Sequence, residues 1–179
     1  MNFIPNQEEE VVVPYWDDVT AEEGWKGRET EKSLDKLKRE VTESISRLGG
    51  NVTRFIQGTF VIGEHQRGGF VIEYYVPVPN SEVFRGRISV AALPVRPEDF
   101  RVRTPVQKRM ERSLKLALFN VRDALDSSRI LQILSPGYNP LVPFMLGTGD
   151  KTISQLWEER IIGKMLPPPD ADFVEGEEV

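Results

Sequence analysis

Residues 70–78 read Phe70-Val71-Ile72-Glu73-Tyr74-Tyr75-Val76-Pro77-Val78. Phe70, Ile72, Tyr74, Val76 and Val78 form one alternating set, and Val71, Glu73 and Tyr75 stand between them. Successive side chains of a strand point to opposite faces, so this two-residue period predicts a strand with the first set buried and the second outward. The stretches on either side read the same way. Val52 to Ile62 is expected to place Val52, Ile56, Phe60 and Ile62 on one face. Phe84 to Val95 is expected to place Phe84, Ile88, Val90 and Ala92 inward and Arg85, Arg87 and Ser89 outward. Gly63 to Gly69 reads as a hairpin loop, and Pro79-Asn80-Ser81 as the next turn. The three strands make an antiparallel meander with one face buried.

Two amphipathic helices flank the meander. From about Glu29 to Leu48, the residues Leu34, Leu37, Val41, Ile45 and Leu48 recur at helical spacing, and Gly49-Gly50 supplies the stop. The second helix starts with Thr104 as its cap and Pro105 at its first position. Its apolar stripe runs through Val106, Met110, Leu114, Ala117, Val121, Ala124 and Leu125. Beyond Asp126 the pattern weakens to a short helix at Ile130 to Leu134, a break at Pro136-Gly137, and a short amphipathic helix from Thr152 to Ile162. The expected fold is therefore α+β, an αβββα core with a small C-terminal helical extension. The organisation reads as an acidic arm over 1–26, the core over 27–129, an extension over 130–164 and an acidic, disorder-like tail over 165–179. Trp16 and Trp25 are candidates to anchor the arm by burying their rings.

The chain has 179 residues, 39% hydrophobic and 28% charged, which suits one domain with a substantial core. It has no cysteine, so disulfides and thiolate chemistry are excluded, and His65 is its one histidine. That leaves a poor ligand set for zinc, and no metal or cofactor is expected. No apolar run is long enough to span a bilayer, and the first residues lack the pattern of a signal peptide, so a cytoplasmic location without membrane contact is expected. The net charge of -5 conceals a segregation. Lys26 to Arg129 holds 20 Lys and Arg against 13 Asp and Glu, a balance of +7, whereas the two ends hold 3 basic and 15 acidic residues, a balance of -12.

The second helix carries the strongest functional signal. Lys108, Arg112, Lys115, Phe119 and Arg122 follow steps of 4, 3, 4 and 3 residues and share one face, with Arg101 and Arg103 leading into it. Cations in such a row can neutralise phosphates, and an aromatic among them can stack on a base or dock a partner. The competing reading is a solvated helix face with Phe119 covered by the C-terminal segment. The outward sheet face gives a second set, Tyr75, Arg85 and Arg87, of the kind that holds unstacked bases. Its competing reading is a set of cross-strand pairs with Glu73. Gly147 to Thr152 lacks the spacing of a phosphate-binding loop, and no carboxylates are grouped for metal-dependent hydrolysis, so no catalytic residue is expected.

The order helix, three antiparallel strands, helix resembles that of double-stranded-RNA-binding domains, although Arg103 to Arg109 stands where that family has a Gly-x-x-Lys-Lys entry. A strand meander followed by one long helix is also similar to the core of phage-type single-strand annealing proteins. Further points of likeness are Ser33-Leu34-Asp35-Lys36-Leu37, Arg47-Leu48-Gly49-Gly50, Gly86-Arg87-Ile88, Leu116-Ala117-Leu118, Pro143 to Leu146 and Gly149 to Ile153. Through these, Thr30 to Glu158 resembles a group of short uncharacterised proteins of phages and mobile elements. That resemblance supplies no activity; it implies genomic company with mobile DNA. The expectation is a non-enzymatic protein that binds nucleic acid, single-stranded DNA or RNA, through Arg101, Arg103, Lys108, Arg112, Lys115, Phe119 and Arg122, or through Tyr75, Arg85 and Arg87. The alternative is a protein–protein module, an oligomeric scaffold or modulator of a host enzyme, acting through Phe119 and Trp157. A homo-oligomer, and a protein partner recruited by the acidic tail, accompany these readings.

Overall fold

The computed structural model describes residues 12–62, 65–79, 83–97, 103–147 and 150–157. Helix α1 (Leu34–Arg47) is followed by β1 (Asn51–Ile62), β2 (His65–Val76), β3 (Phe84–Ala91) and α2 (Val106–Leu134). The strands form one antiparallel sheet in the order β1-β2-β3. This is the α+β architecture that the sequence predicts. A 3-10 helix, Val142–Phe144, and a helical turn over 153–157 complete the C-terminal side. Arg101 and the tail over 165–179 lie outside the described residues.

Helix α1 begins five residues later than its periodicity suggests, because Ser33 caps it by accepting a hydrogen bond from the Lys36 backbone N–H at 3.2 Å. Its stripe is buried as expected: Leu37, Val41, Ile45 and Leu48 join Phe70, Ile72, Tyr74, Ile88, Leu118, Leu125 and Leu141 in the main core. Arg122 donates to Glu40 at 2.8 Å, and Ser44 Oγ donates to Asp126 at 2.7 Å. Both pairs have the same sequence offset, so α1 and α2 run side by side in the same direction.

The β1 face differs from the expectation. A bulge between Val52 and Arg54 adds a residue to β1, and every side chain beyond it changes face. Val52 (opposite Tyr74) and Phe55 (opposite Ile72) therefore point into the core. Ile56 and Phe60, opposite Val71 and Arg67, lie on the outward face instead. The Phe60 ring fills the space where a side chain at Gly69 would project. Pairing continues to Ile62 and His65, so the expected loop from Gly63 to Gly69 is mostly strand. Strand β3 ends at Ala91 rather than Val95.

Helix α2 spans 29 residues and absorbs the segment expected to be a separate helix, so the boundary expected at 129/130 falls inside it. Its first helical residue is Val106; Pro105 takes the cap position without a side-chain hydrogen bond, and Thr104 does not cap. Its buried face is also broader than one stripe. Leu118 and Leu125 pack into the main core, whereas Arg109, Ser113 and Leu116 are buried roughly 150° away around the helix axis, taking 3.6 residues per turn. Leu116 meets Trp16 and Val19 of the N-terminal arm there. Met110, assigned to the apolar stripe, falls between the two buried faces and is 47% exposed.

The C-terminal segment seals the β3 side of the sheet. Met145 bridges Gly86, and the Leu146 N–H donates to the Arg85 carbonyl at 2.7 Å. The Tyr74 ring lies over Gly86, opposite it in the register, and its hydroxyl donates to the Leu141 carbonyl at 2.9 Å. Burial pushes the Tyr74 phenol well above its ordinary pKa, so it remains a donor.

Three outcomes are expected. Tyr74→Phe leaves the Leu141 carbonyl unpaired and should cost about 1–3 kcal/mol in urea denaturation. Gly86→Ala drives a methyl group into the Tyr74 ring and should cost about 1–3 kcal/mol. The third concerns Glu40, which Lys32 and Arg122 both reach at 2.8 Å. Burial alone would raise its pKa, but the two hydrogen bonds and charges outweigh it and hold the carboxyl below its ordinary value of 4.5. A depressed folded-state pKa stabilises above the unfolded value, and that contribution disappears as pH falls through the folded value. Wild type should therefore exceed Glu40→Gln in melting temperature at neutral pH, and the gap should close below pH 4.5. A gap independent of pH would refute the clamp.

Candidate nucleic-acid interface

On α2 the cations at 108, 112, 115 and 122 share a face with Phe119, as their spacing requires. What surrounds that face is decided by the arm. Trp16 is 5% exposed and packs with Val19 on Leu116. Its backbone N–H donates to the Pro94 carbonyl at 2.8 Å. Next to it Asp17 accepts from Arg109 at 2.8 Å, in an ion pair whose side chains are 2% (Arg109) and 10% (Asp17) exposed. Arg109 also donates to the carbonyls of Thr104 and Arg96 at 3.1 Å each. Asp18 pairs with Arg96 at 2.6 Å, and the Arg96 guanidinium stacks over Tyr15.

The arm then turns at Gly27, whose φ of +85° suits glycine. The Phe119 ring occupies the space that a Gly27 side chain would need. Phe119 is thus half-buried, packed against Gly27 at the end of the arm and against the main core. Arg122 lies 4.2 Å above the same ring while it holds Glu40. Phe119 and Arg122 serve the packing of arm, α1 and α2.

The remaining cations frame a cleft of about 550 Å³ between the arm and α2, lined by Trp16, Arg28, Glu29, Thr30, Glu31, Lys108, Arg112 and Lys115. Four cations face two carboxylates. Lys115 pairs with Glu111 at 2.9 Å. That hydrogen bond holds the Glu111 carboxyl below its ordinary pKa, and the charges of Lys108 and Arg112 add to the effect. Lys108 and Arg112 are exposed and form no ion pair within 4 Å among the described residues. Arg28, placed by the Gly27 turn, stacks over Trp16 at 4.7 Å. The Trp16 indole N–H and the Arg28 Nε–H are buried without a hydrogen-bond partner among the described residues. Sequence reading named Trp16 as an anchor but missed Arg28; the Gly27-Arg28 turn after a tryptophan-bearing arm was its only signal. Arg103 is exposed on the approach to α2.

The second set lies on the opposite layer. Arg87 is held by Asp150 at 3.0 Å and Glu73 at 3.8 Å, and Glu73 also meets Arg54 at 3.5 Å. Tyr75 and Arg85 face each other across β2 and β3. Trp157 is 61% exposed, whereas Phe119 is half-buried against the main core. Among the described residues no group of three or more His, Cys, Asp or Glu is placed to hold a metal ion, and no helix is long and apolar enough to cross a membrane.

Loss of the arm's ion pair should open the cleft. Asp17→Asn leaves a buried guanidinium unpaired and should cost about 3–5 kcal/mol, with a red shift of tryptophan emission as Trp16 meets water. The double change Asp17→Leu, Arg109→Met should recover much of that loss. Equal losses for the single and double variants would contradict this account.

No protein-family model, no curated protein and no solved structure matches the chain.

Proposed function

We propose that the protein binds single-stranded nucleic acid, DNA or RNA, without catalysing a reaction, by holding the phosphate backbone in the cleft between the arm and α2. The observation that supports this reading is the cleft itself: Arg28, Lys108, Arg112 and Lys115 converge on one concavity, and Lys108 and Arg112 form no ion pair within 4 Å among the described residues. Each neutralised phosphate releases counterions, which makes such binding steeply dependent on salt. Arg103 extends the cationic track at the start of α2. A cytoplasmic setting in the DNA metabolism of a phage or mobile element accords with this reading.

Fluorescence anisotropy of a labelled oligonucleotide tests it. With three or four phosphates engaged, affinity should fall roughly 20- to 50-fold between 50 and 200 mM salt. Lys108→Glu with Arg112→Glu should weaken binding to every sequence and reduce the log–log salt slope by about 1.4. Salt-independent binding, or a slope unchanged by the double variant, would reject the cleft as the site.

A second reading, a protein–protein module, is favoured by one observation. At the end of α2, Ile130, Leu131, Ile133 and Leu134 are 63%, 48%, 71% and 74% exposed. A contiguous exposed apolar patch of this kind marks an interaction surface. The same double variant separates the readings in sedimentation velocity: it should leave any self-association intact, and loss of assembly together with unchanged oligonucleotide affinity would favour the second.

A further inference from the structure

The outward face of the sheet carries a second concavity, of about 460 Å³, on the layer opposite the cleft. Its volume falls within the range of small-molecule sites. The bulge in β1 presents Thr53; β2 and β3 present Glu73, Tyr75, Arg85 and Arg87; Val83, Leu146 and Asp150 form the rim. The rim exists because Met145 and Leu146 pair with the edge of β3 and Leu146 bridges Thr152, which brings Asp150 against Arg87. Asp150 has a φ of +58° and is held in place by Arg87, which donates to both carboxylate oxygens, at 3.3 and 3.0 Å. A residue in this left-handed region is uncommon outside glycine, and local contacts must hold it.

The charges are unequally committed. Arg87 is neutralised by Glu73 and Asp150. Arg85 is exposed and has no ion pair or hydrogen bond from its side chain among the described residues. Tyr75 is directly opposite it in the register, so a ring and a guanidinium unpaired among the described residues stand side by side on one face. Val83 and Leu146 add apolar walls. Glu73 and Asp150 keep lone pairs beyond those that Arg87 occupies, and can accept from ring N–H or amino groups. A flat aromatic surface, one uncommitted guanidinium suited to phosphate, and acceptors beyond them match one ligand chemistry: a heteroaromatic base bearing a phosphate.

We propose that this pocket binds a mononucleotide, free or as the end of a strand, with its base against Tyr75, its phosphate on Arg85 and its amino or imino edge toward Glu73 and Asp150. The site is separate from the cleft and does not depend on it.

Isothermal titration of the full chain with the four ribonucleoside 5′-monophosphates, the corresponding nucleosides and inorganic phosphate tests the assignment. At least one monophosphate should bind saturably, with its nucleoside and inorganic phosphate each at least about tenfold weaker, because the ring and the anion are recognised together. Arg85→Ala, at an exposed position, should weaken the monophosphate about tenfold and leave the far-ultraviolet circular dichroism unchanged. Tyr75→Leu should weaken monophosphate and nucleoside alike. Lys108→Glu with Arg112→Glu should leave the titration as in wild type, so that failure of the cleft and failure of this pocket are told apart. Displacement of the monophosphate by a 5′-phosphorylated oligonucleotide would identify a strand end as the source, and persistence would identify the free nucleotide. Absence of saturable binding by every monophosphate, affinity unchanged in Arg85→Ala, or inorganic phosphate binding as tightly as the best monophosphate would overturn the proposal.

Discussion

A guanidinium taken out of water governs how the parts of this chain fit together. Arg109 sits at the first turn of α2, where the arm and the connection from β3 meet, and its donors reach Asp17, Thr104 and Arg96 at once. A buried ion pair of this kind adds little net stability compared with apolar packing, because both charges lose their hydration. What it supplies is geometry. It admits one docking of the arm, which sets Trp16 on Leu116, the Gly27 turn over Phe119, and Arg28 across the tryptophan. The cleft follows from that docking.

Much of the architecture was legible in the sequence because period and punctuation agreed. The alternation from Phe70 to Val76 fixed β2 and its faces, and the α1 stripe from Leu37 to Leu48 is the helical half of the core. The faces of β1 were not legible. The bulge at Val52–Arg54 is a single inserted residue that no glycine marks, yet it reverses the parity of Ile56 and Phe60. The arc of α2 was misjudged for a related reason. A one-stripe reading assumes a helix with one neighbour, whereas α2 has the sheet and α1 on one side and the arm on another. A buried arginine and serine at 109 and 113 do not register as core in a hydrophobic pattern.

The candidate site was legible as a list of cations and illegible as a surface. Spacing correctly placed five residues on one helix face, but spacing carries no information about which charges are already committed. Glu40 takes Arg122 from one side, Glu111 takes Lys115 from within the helix, and the arm takes the exposed face of Phe119. These commitments divide the stripe into a packing half and an open half. On the sheet, Arg87 is likewise committed and, among the described residues, Arg85 is not, a distinction that depends on Asp150, 63 residues away in sequence from Arg87.

The shared direction of α1 and α2 has an electrostatic consequence. An odd number of antiparallel strands joins the helices, so the chain enters both from the same end. That end is where the segment before α1 and the first turns of α2 line the cleft. The aligned peptide dipoles of a helix act as roughly half a positive elementary charge at its N-terminus. Asp35 offsets part of this charge in the first turn of α1, whereas the first turn of α2 holds no acidic residue, so α2 above all adds a positive potential that belongs to the backbone. Part of the attraction of this end of the molecule for anions is therefore written in its topology, and no single side-chain replacement removes it.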